Sequence, residues 1–555
     1  MSDELPKVHI HLSMDKIPEI REPMPVMKLG APVLAPEKLI RDIVRVVAPG
    51  AEFKEIEKSG ARGAYHKKRL VALVDPKSGE SKVFPTLGIL KPGAGLAERA
   101  KTVAAKIARE SALFPEDGTE AVALEPLPLF GAKHHREKEG TKPAEYISYV
   151  RFQRRVNGVP VCGPGTRAMI GIAADGSVCA LTHRWRKAIP TDEKMVARPR
   201  EEIHKAIVEQ LSQRVRNADV RVDTVDICYY DGGQNYLQPV YRYMATIKLH
   251  PPGQKIRCAD AHLHGYIPIG IEREPIMQRG KMYLPPMPAK SNAERKSPPE
   301  GDPTVGRYII QNDTAEWWIS SCEFLNGLQT GGSQIGVQFT DSQYLWADPY
   351  EYEDGKNDYV NSVNIADTEG HGDWWLFETD AANGGTFVQL KDISGYGPAL
   401  AYWIIHSCEV IPTQDDESTS FDVWWQIFNG LHAVVGYRTV MFIDDDVLGP
   451  FGFDIGSGAS VVSAWLNEAI TASSYQGDPG PKWCDCKHTN TWVPMGRPSA
   501  VVPDGHGDDT AAYDIDPLNP PSVLWEFWIG NLCDTPPCSG SDCASIEYRS
   551  CHEGN

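Results

Sequence analysis

Two short runs decide the reading of this chain: Glu369-Gly-His-Gly372 and Ile404-Ile-His-Ser-Cys408. Each follows a strand-like stretch, Val360-Asn-Ser-Val-Asn-Ile365 before the first and Ala399-Leu-Ala-Tyr-Trp-Ile-Ile405 before the second. A cysteine nucleophile needs a base to make its thiolate and backbone donors for the oxyanion. A His followed by Gly at one strand end, with a Cys ending a neighbouring strand, can supply all of these. Gly372 has no Cβ, so its N–H can approach a substrate carbonyl closely. The plainer account of the same residues is a buried thiol and a turn histidine.

Working outward, the C-terminal half is expected to be α/β. Its central, mostly parallel sheet is flanked by helices, with His371 and Cys408 at the carboxyl ends of adjacent strands, where open α/β sheets bind ligands. The segment Trp424-Trp-Gln-Ile-Phe-Asn-Gly-Leu-His-Ala-Val-Val-Gly-Tyr437 reads as a helix packed behind the Cys408 strand. Asp373, Glu409 and Trp374 are candidates for substrate contact, and the acidic loop Gln414–Ser420 for a cover. Trp374-Trp375 and Trp424-Trp425 either line a groove or, as such residues more often do, fill a core.

Residues 1–271 read as α+β units, each a helix followed by strands. Pro36–Val47, Leu96–Ser111 and Arg200–Val215 have helical apolar spacing. Tyr65–Val74 and Ser81–Phe84 form a hairpin around Asp75–Gly79, and Asn157-Gly158 and Asp175-Gly176 mark further tight turns between apolar runs. Other strands are expected at Ala121–Leu124, Glu145–Val156, Arg221–Tyr230 and Val240–Leu249.

Length and composition support several domains. The chain has 555 residues, with 41% hydrophobic and 23% charged. This is too long for one core. The divisions are 1–115 and 116–271 (two α+β units), 272–303 (a Pro- and Lys/Arg-rich linker), 304–530 (the α/β domain) and 531–555 (a Cys-rich tail). No apolar run reaches the roughly 18 residues of a membrane helix, so no membrane partner is expected. Met1–Lys7 shows neither the basic nor the apolar part of a secretory signal.

Charge is divided unevenly. Residues 1–300 hold 48 Lys and Arg against 36 Asp and Glu, whereas residues 301–555 hold 8 against 38. Complementary fields of this kind suggest that the basic half docks on the acidic half within one chain. The basic charges are scattered and lack interleaved aromatics, so a nucleic-acid partner is not expected. An acidic domain would favour Arg or Lys in a substrate.

Of twelve cysteines, Cys484, Cys486, Cys533, Cys538, Cys543 and Cys551 crowd the end of the chain. That segment has too little apolar surface to order itself without disulfides or a metal. Disulfides would place the protein in an extracytoplasmic compartment, in tension with the missing signal, and the location stays open. Cys162 and Cys179 face each other across an expected hairpin and are a further candidate pair. His9-Ile-His11, His134-His135 and His262-Leu-His264 lack a third ligand, so no metal site is expected. No Walker loop, Rossmann fingerprint or His-Glu-x-x-His is present, so no cofactor is expected either. His506, in Asp504-Gly-His-Gly-Asp-Asp509, ranks below His371 as a base because no strand precedes it.

The His-Gly and Ser-Cys runs resemble the caspase-like cysteine peptidases, the superfamily of legumain, gingipains and metacaspases, over roughly Gly306–Ile529. The 424–437 segment also resembles a group of uncharacterised bacterial proteins sharing that core. The resemblance implies a peptide or protein substrate, His371 as general base or acid, Cys408 as nucleophile, and the N–H groups of Gly372 and Cys408 as the oxyanion hole. Many members carry Gly two residues after the Cys, where this chain has Val410, so a non-catalytic binding or scaffold protein is the alternative. Tyr149–Gly163, Trp185 and Tyr236–Tyr243 resemble the PepSY-type prodomain of thermolysin-like peptidases, which implies that the N-terminal half regulates rather than catalyses.

Overall fold

The computed structural model describes residues 8–56, 60–93, 96–215, 218–249, 260–276, 302–310, 314–379, 387–413, 421–477, 480–485 and 491–530. Most of the expected linker, the loop 414–420 and the Cys-rich tail lie outside the described residues. The fold is α/β with a large mixed sheet. Among the described residues no helix is long and apolar enough to cross a membrane.

Parallel strands form the centre of the C-terminal half. Thr340–Trp346, Thr304–Ile309, Ile365–Glu369, Tyr402–His406 and Ala433–Tyr437 lie side by side in that order. Apart from the edge strand Thr340–Trp346, every residue in these strands is buried. Helices cover both faces of a parallel sheet, and this is why such strands read as apolar runs rather than as alternation. Two of those helices, Glu316–Ile335 and Leu448–Gly456, nearly touch backbone to backbone. A Cβ at Gly327 would stand 2.2 Å from the Gly449 carbonyl, and one at Gly452 2.3 Å from that of Phe324. Glycine's cost to helix stability is tolerated here because only glycine permits the approach.

The sheet does not stop at the C-terminal half. Beyond Ala433–Tyr437 come antiparallel Pro498–Pro503 and Val523–Ile529. Val523–Ile529 then pairs with Leu127–His135 of the N-terminal half, from Val523 opposite His135 to Ile529 opposite Leu129. The ladder continues through Ala144–Val156, Arg167–Ala173, Val178–Met195 and Glu80–Val83. Ala218–Tyr230, Tyr236–Leu249 and Ala261–Pro268 pair antiparallel and join the same sheet where Tyr236-Leu237 meets Lys28-Met27. Val178–Met195 also pairs with Met24–Val33, so hydrogen bonds cross position 115 as well.

Buried and partly buried ion pairs reinforce the joint, and in those that follow the cation is on the N-terminal side. Lys82 meets Asp454 at 2.9 Å and Glu468 at 3.0 Å. Arg167 meets Glu468 at 2.9 Å and Asp446 at 2.5 Å. Arg214 meets Glu316 at 2.8 Å and Asp444 at 2.6 Å.

Local expectations are met at the helices Glu37–Val47, Ala97–Glu110 and Arg200–Arg214. In the first, Ile40, Ile43, Val44 and Val47 form the buried stripe. Others need correction. Trp424–Tyr437 is not one helix: Asp422–Ile427 is helical, the chain breaks at Asn429-Gly430, and Ala433–Tyr437 is a strand beside the Cys408 strand. Tyr65–Val74 is interrupted by a turn at Lys67-Lys68, both with positive φ. The strands before the two signatures begin later than expected, at Ile365 and Tyr402, and end on Glu369 and His406. Cys162 and Cys179 do not pair; both are free. Cys162 belongs to a small cluster with Cys228, whereas Cys179 lies in the main core and points at the Gly171 carbonyl.

Candidate functional site

Ile365–Glu369 and Tyr402–His406 are adjacent and parallel, with Glu369 opposite His406. The chain then turns twice, placing Gly370-His371-Gly372 next to Ser407-Cys408-Glu409. Contact is intimate: a Cβ at Gly372 would lie 2.1 Å from Ser407 Oγ and 2.5 Å from the Cys408 carbonyl. Glycine is required there by the Cys408 turn itself, a closer neighbour than any substrate. The His371 carbonyl accepts the Glu378 N–H at 2.7 Å. Glu409 sits in the left-handed region at φ 55°, which bends the chain sharply after the cysteine.

Both central side chains are closed off from solvent, His371 at 0% exposure and Cys408 at 1%. The His371 ring meets Trp317 edge-on, with centroids 5.1 Å apart. Cys408 Sγ accepts the Met441 N–H at 3.5 Å. Burial pushes the thiol up to about 12, with Glu409, Asp445 and Asp260 adding to the rise and the Met441 backbone opposing it. Loss of water is a larger cause than the neighbouring carboxylates. Asp260 belongs to the N-terminal half, and just after it the Ile443 N–H donates to the His262 carbonyl at 3.0 Å. The N-terminal strand Ala261–Pro268 therefore rests on the segment that caps the cysteine.

The last residues of the two strands make a pair that sequence reading missed. His406 Nδ1 lies 2.7 Å from Glu369 Oε2, and its Nε2 lies 3.5 Å from Asp445 Oδ1, all fully buried. Burial disfavours the imidazolium, but Glu369 and Asp445 outweigh it and hold His406 up at about 10. Burial also lifts Glu369 to about 8 and the nearby Asp367 to about 6, the latter despite a 2.6 Å bond from Ser321. Asp445 additionally accepts from Tyr437 at 2.8 Å and Tyr475 at 3.2 Å. The available signal was that each signature carries an ionisable residue two positions before its key residue, at the last position of its strand.

Other expected residues fall at varied distances from this centre. Asp373 is buried and accepts the Trp374 N–H at 2.8 Å, in a tight hairpin with Leu376–Glu378. Trp374 is half-buried. Trp375 packs on the buried Trp424, with ring centroids 5.7 Å apart. His506 lies beside His432, which directly precedes the start of the Ala433 strand, at the opposite ends of the strands from Cys408.

Residues 312–501 match a domain of unknown function, DUF6345. The matched span contains His371, Cys408, His406 and the Asp444–Asp446 run. No curated protein matches the chain. Among solved structures, an uncharacterized protein from Eubacterium rectale is 11% identical and aligns over 50% of this chain and 92% of its own, with a TM-score of 0.29.

Proposed function

We propose that the C-terminal half is a cysteine peptidase-like hydrolase held in a latent state by the N-terminal half. The observation that carries this reading is the contact of Gly372 with Ser407-Cys408, which sets a His-Gly turn against a cysteine at the carboxyl ends of adjacent parallel strands. In the open state His371 takes the Cys408 proton and the thiolate attacks a peptide carbonyl. The Gly372 and Cys408 N–H groups hold the oxyanion, and the imidazolium protonates the leaving amine. Water then cleaves the thioester, returning the thiol. Asp373, Glu409 and Trp374 lie close enough in the chain to contact substrate, and the acidic field favours peptides with Arg or Lys before the cut bond.

Latency rests on the closed thiol. A cysteine raised to about 12 has almost no thiolate at neutral pH. The Met441–Asp446 segment that caps it is gripped from the N-terminal half by His262, His264, Arg214 and Arg167. Release of that grip would let the cap move and water enter. The same burial favours a second reading, in which the fold is a non-catalytic scaffold and the thiol never opens.

Labelling by a peptidyl acyloxymethyl ketone, read by intact mass, separates the two. The latent-enzyme reading expects slow modification of Cys408 in the intact chain and fast modification in Arg214→Met, abolished by His371→Ala or Cys408→Ala. Labelling in Arg214→Met that is indifferent to His371→Ala would leave the scaffold reading standing.

A further inference from the structure

We propose that His432, His506 and Asp509 form a binding site for zinc or a similar divalent transition metal, separate from the Cys408 centre. The two imidazole nitrogens and one carboxylate oxygen lie within 4.8 Å of one another. Asp509 Oδ2 stands 2.6 Å from His432 Nδ1 and 2.7 Å from His506 Nδ1, with the two rings nearly perpendicular. A single carboxylate oxygen thus serves two ring nitrogens that converge on one point. Two imidazoles and a carboxylate with one open position is a common zinc donor set.

The second nitrogen of His432 is the independent observation. Its Nε2 lies 2.7 Å from the Asp516 carbonyl. A metal-bound histidine commonly donates its other ring N–H to a backbone carbonyl, which fixes the tautomer and aims the free nitrogen at the metal. His432 is already set in that way.

The backbone around the three residues is pinned. The His432 N–H donates to the Ala401 carbonyl at 2.7 Å. Asp508, between the other two ligands, takes the Leu87 and Gly88 N–H groups at 2.8 and 2.9 Å and Arg69 at 2.6 Å. Asp514 caps the Thr510 N–H at 2.8 Å. Solvent reaches the site from one side, since the side chain of His506 is 34% exposed and that of His432 5%. Water can therefore complete the coordination. Around a zinc ion with bonds of about 2 Å, tetrahedral donors stand about 3.3 Å apart, so Asp509 Oδ2 must move about 0.6–0.7 Å further from each ring nitrogen, and the exposed His506 can yield.

Such a metal would tie the 504–516 turn to the starts of the parallel strands, where Tyr402 packs against His432. The test is a Co2+ titration of the chelator-stripped full chain, followed by zinc competition, in wild type, His506→Ala and His506→Gln. Thiolate-bound Co2+ shows a sulfur-to-metal charge-transfer band, so any metal taken by the terminal cysteines is separable. The expected result is one equivalent of Co2+ without that band, weakened about 100-fold or more in both variants, with zinc raising the melting temperature of wild type alone. Equal stoichiometry and affinity in folded His506→Ala or His506→Gln, or binding accompanied only by the thiolate band, would overturn the proposal.

Discussion

Replacing Arg214 by Met tests the joint between the halves most directly. Its guanidinium donates to Glu316 at 2.8 and 3.0 Å, to Asp444 at 2.6 Å and to the His264 carbonyl at 2.6 Å. Glu316 and Asp444 are 1% and 2% exposed, so neither can recover its hydration when the cation goes. Asp444 keeps the His264 ring at 3.0 Å, whereas Glu316 loses its ion pair. Stranding a buried charge costs about 3–5 kcal/mol, and the Met stem retains much of the packing. The assay is urea unfolding followed by tryptophan fluorescence. Arg214→Met should lose about that much, and Arg214→Met with Glu316→Gln should regain a large part of it, since the second change removes the stranded charge. Burial raises the Asp444 carboxyl, but His264 and Arg214 together hold it well below its ordinary value of 3.8. Its contribution is therefore complete above that value and is lost as pH falls, so Arg214→Met should be less sensitive to acid than wild type. A loss under about 1 kcal/mol, the range of solvent-screened pairs, or no recovery in the double variant, would refute the reasoning.

Other outcomes follow from the same geometry. Gly372→Ala places a Cβ 2.5 Å from the Cys408 carbonyl, a backbone atom that cannot swing away, and should cost about 1–3 kcal/mol by overpacking, read by the same unfolding assay. Alkylation of Cys408 in the intact chain needs the thiolate, so its rate should climb about tenfold per pH unit from 7 to 10 without a plateau, because the thiol is pushed up to about 12; a plateau below pH 9 would show an activated thiol already present. His406 is held protonated in the fold, at about 10 against an ordinary 6.5, so its contribution is full below pH 6.5 and drains away as pH rises towards 10. Thermal melts across that range should show the decline in wild type and a shallower one in His406→Gln.

The sequence was most legible where structure is local. Asn157-Gly158 adopts the paired positive φ values that its hairpin needs, whereas at Asp175-Gly176 only the glycine takes a positive φ. Tyr402-Trp-Ile-Ile-His406 was visible as an apolar run, whereas Ile365-Ala-Asp-Thr-Glu369 is half polar and its strand was expected several residues too early; the adjacency of the two followed from open-sheet logic. The Trp424–Tyr437 segment misled because aromatic residues at helical spacing continue into Ala433-Val-Val-Gly-Tyr437, whose β-branched residues belong to a strand; the break at Asn429-Gly430 was the better guide. Cys162 and Cys179 could not be judged from hairpin spacing, since partner strands send the two side chains into different clusters. Neither the Glu369–His406 pair nor the grip of Arg214 on Asp444 leaves a local pattern, because each depends on which distant strands become neighbours.

The seam between Leu127–His135 and Val523–Ile529 bears on how this protein is made. Strand 127–135 leaves the ribosome early, pairs with 144–156 on one side, and must then wait about 390 residues for its other neighbour, a contact of very long range. During that interval one edge of the early sheet presents unpaired N–H and C=O groups, an invitation to the wrong partner. Closure comes only when Val523–Ile529, the last described strand, arrives. A chain released before Val523 has lost more than a terminal strand: its two halves lack the sheet that joins them, and ribosome-bound intermediates of this length should depend on chaperones until the last described strand emerges.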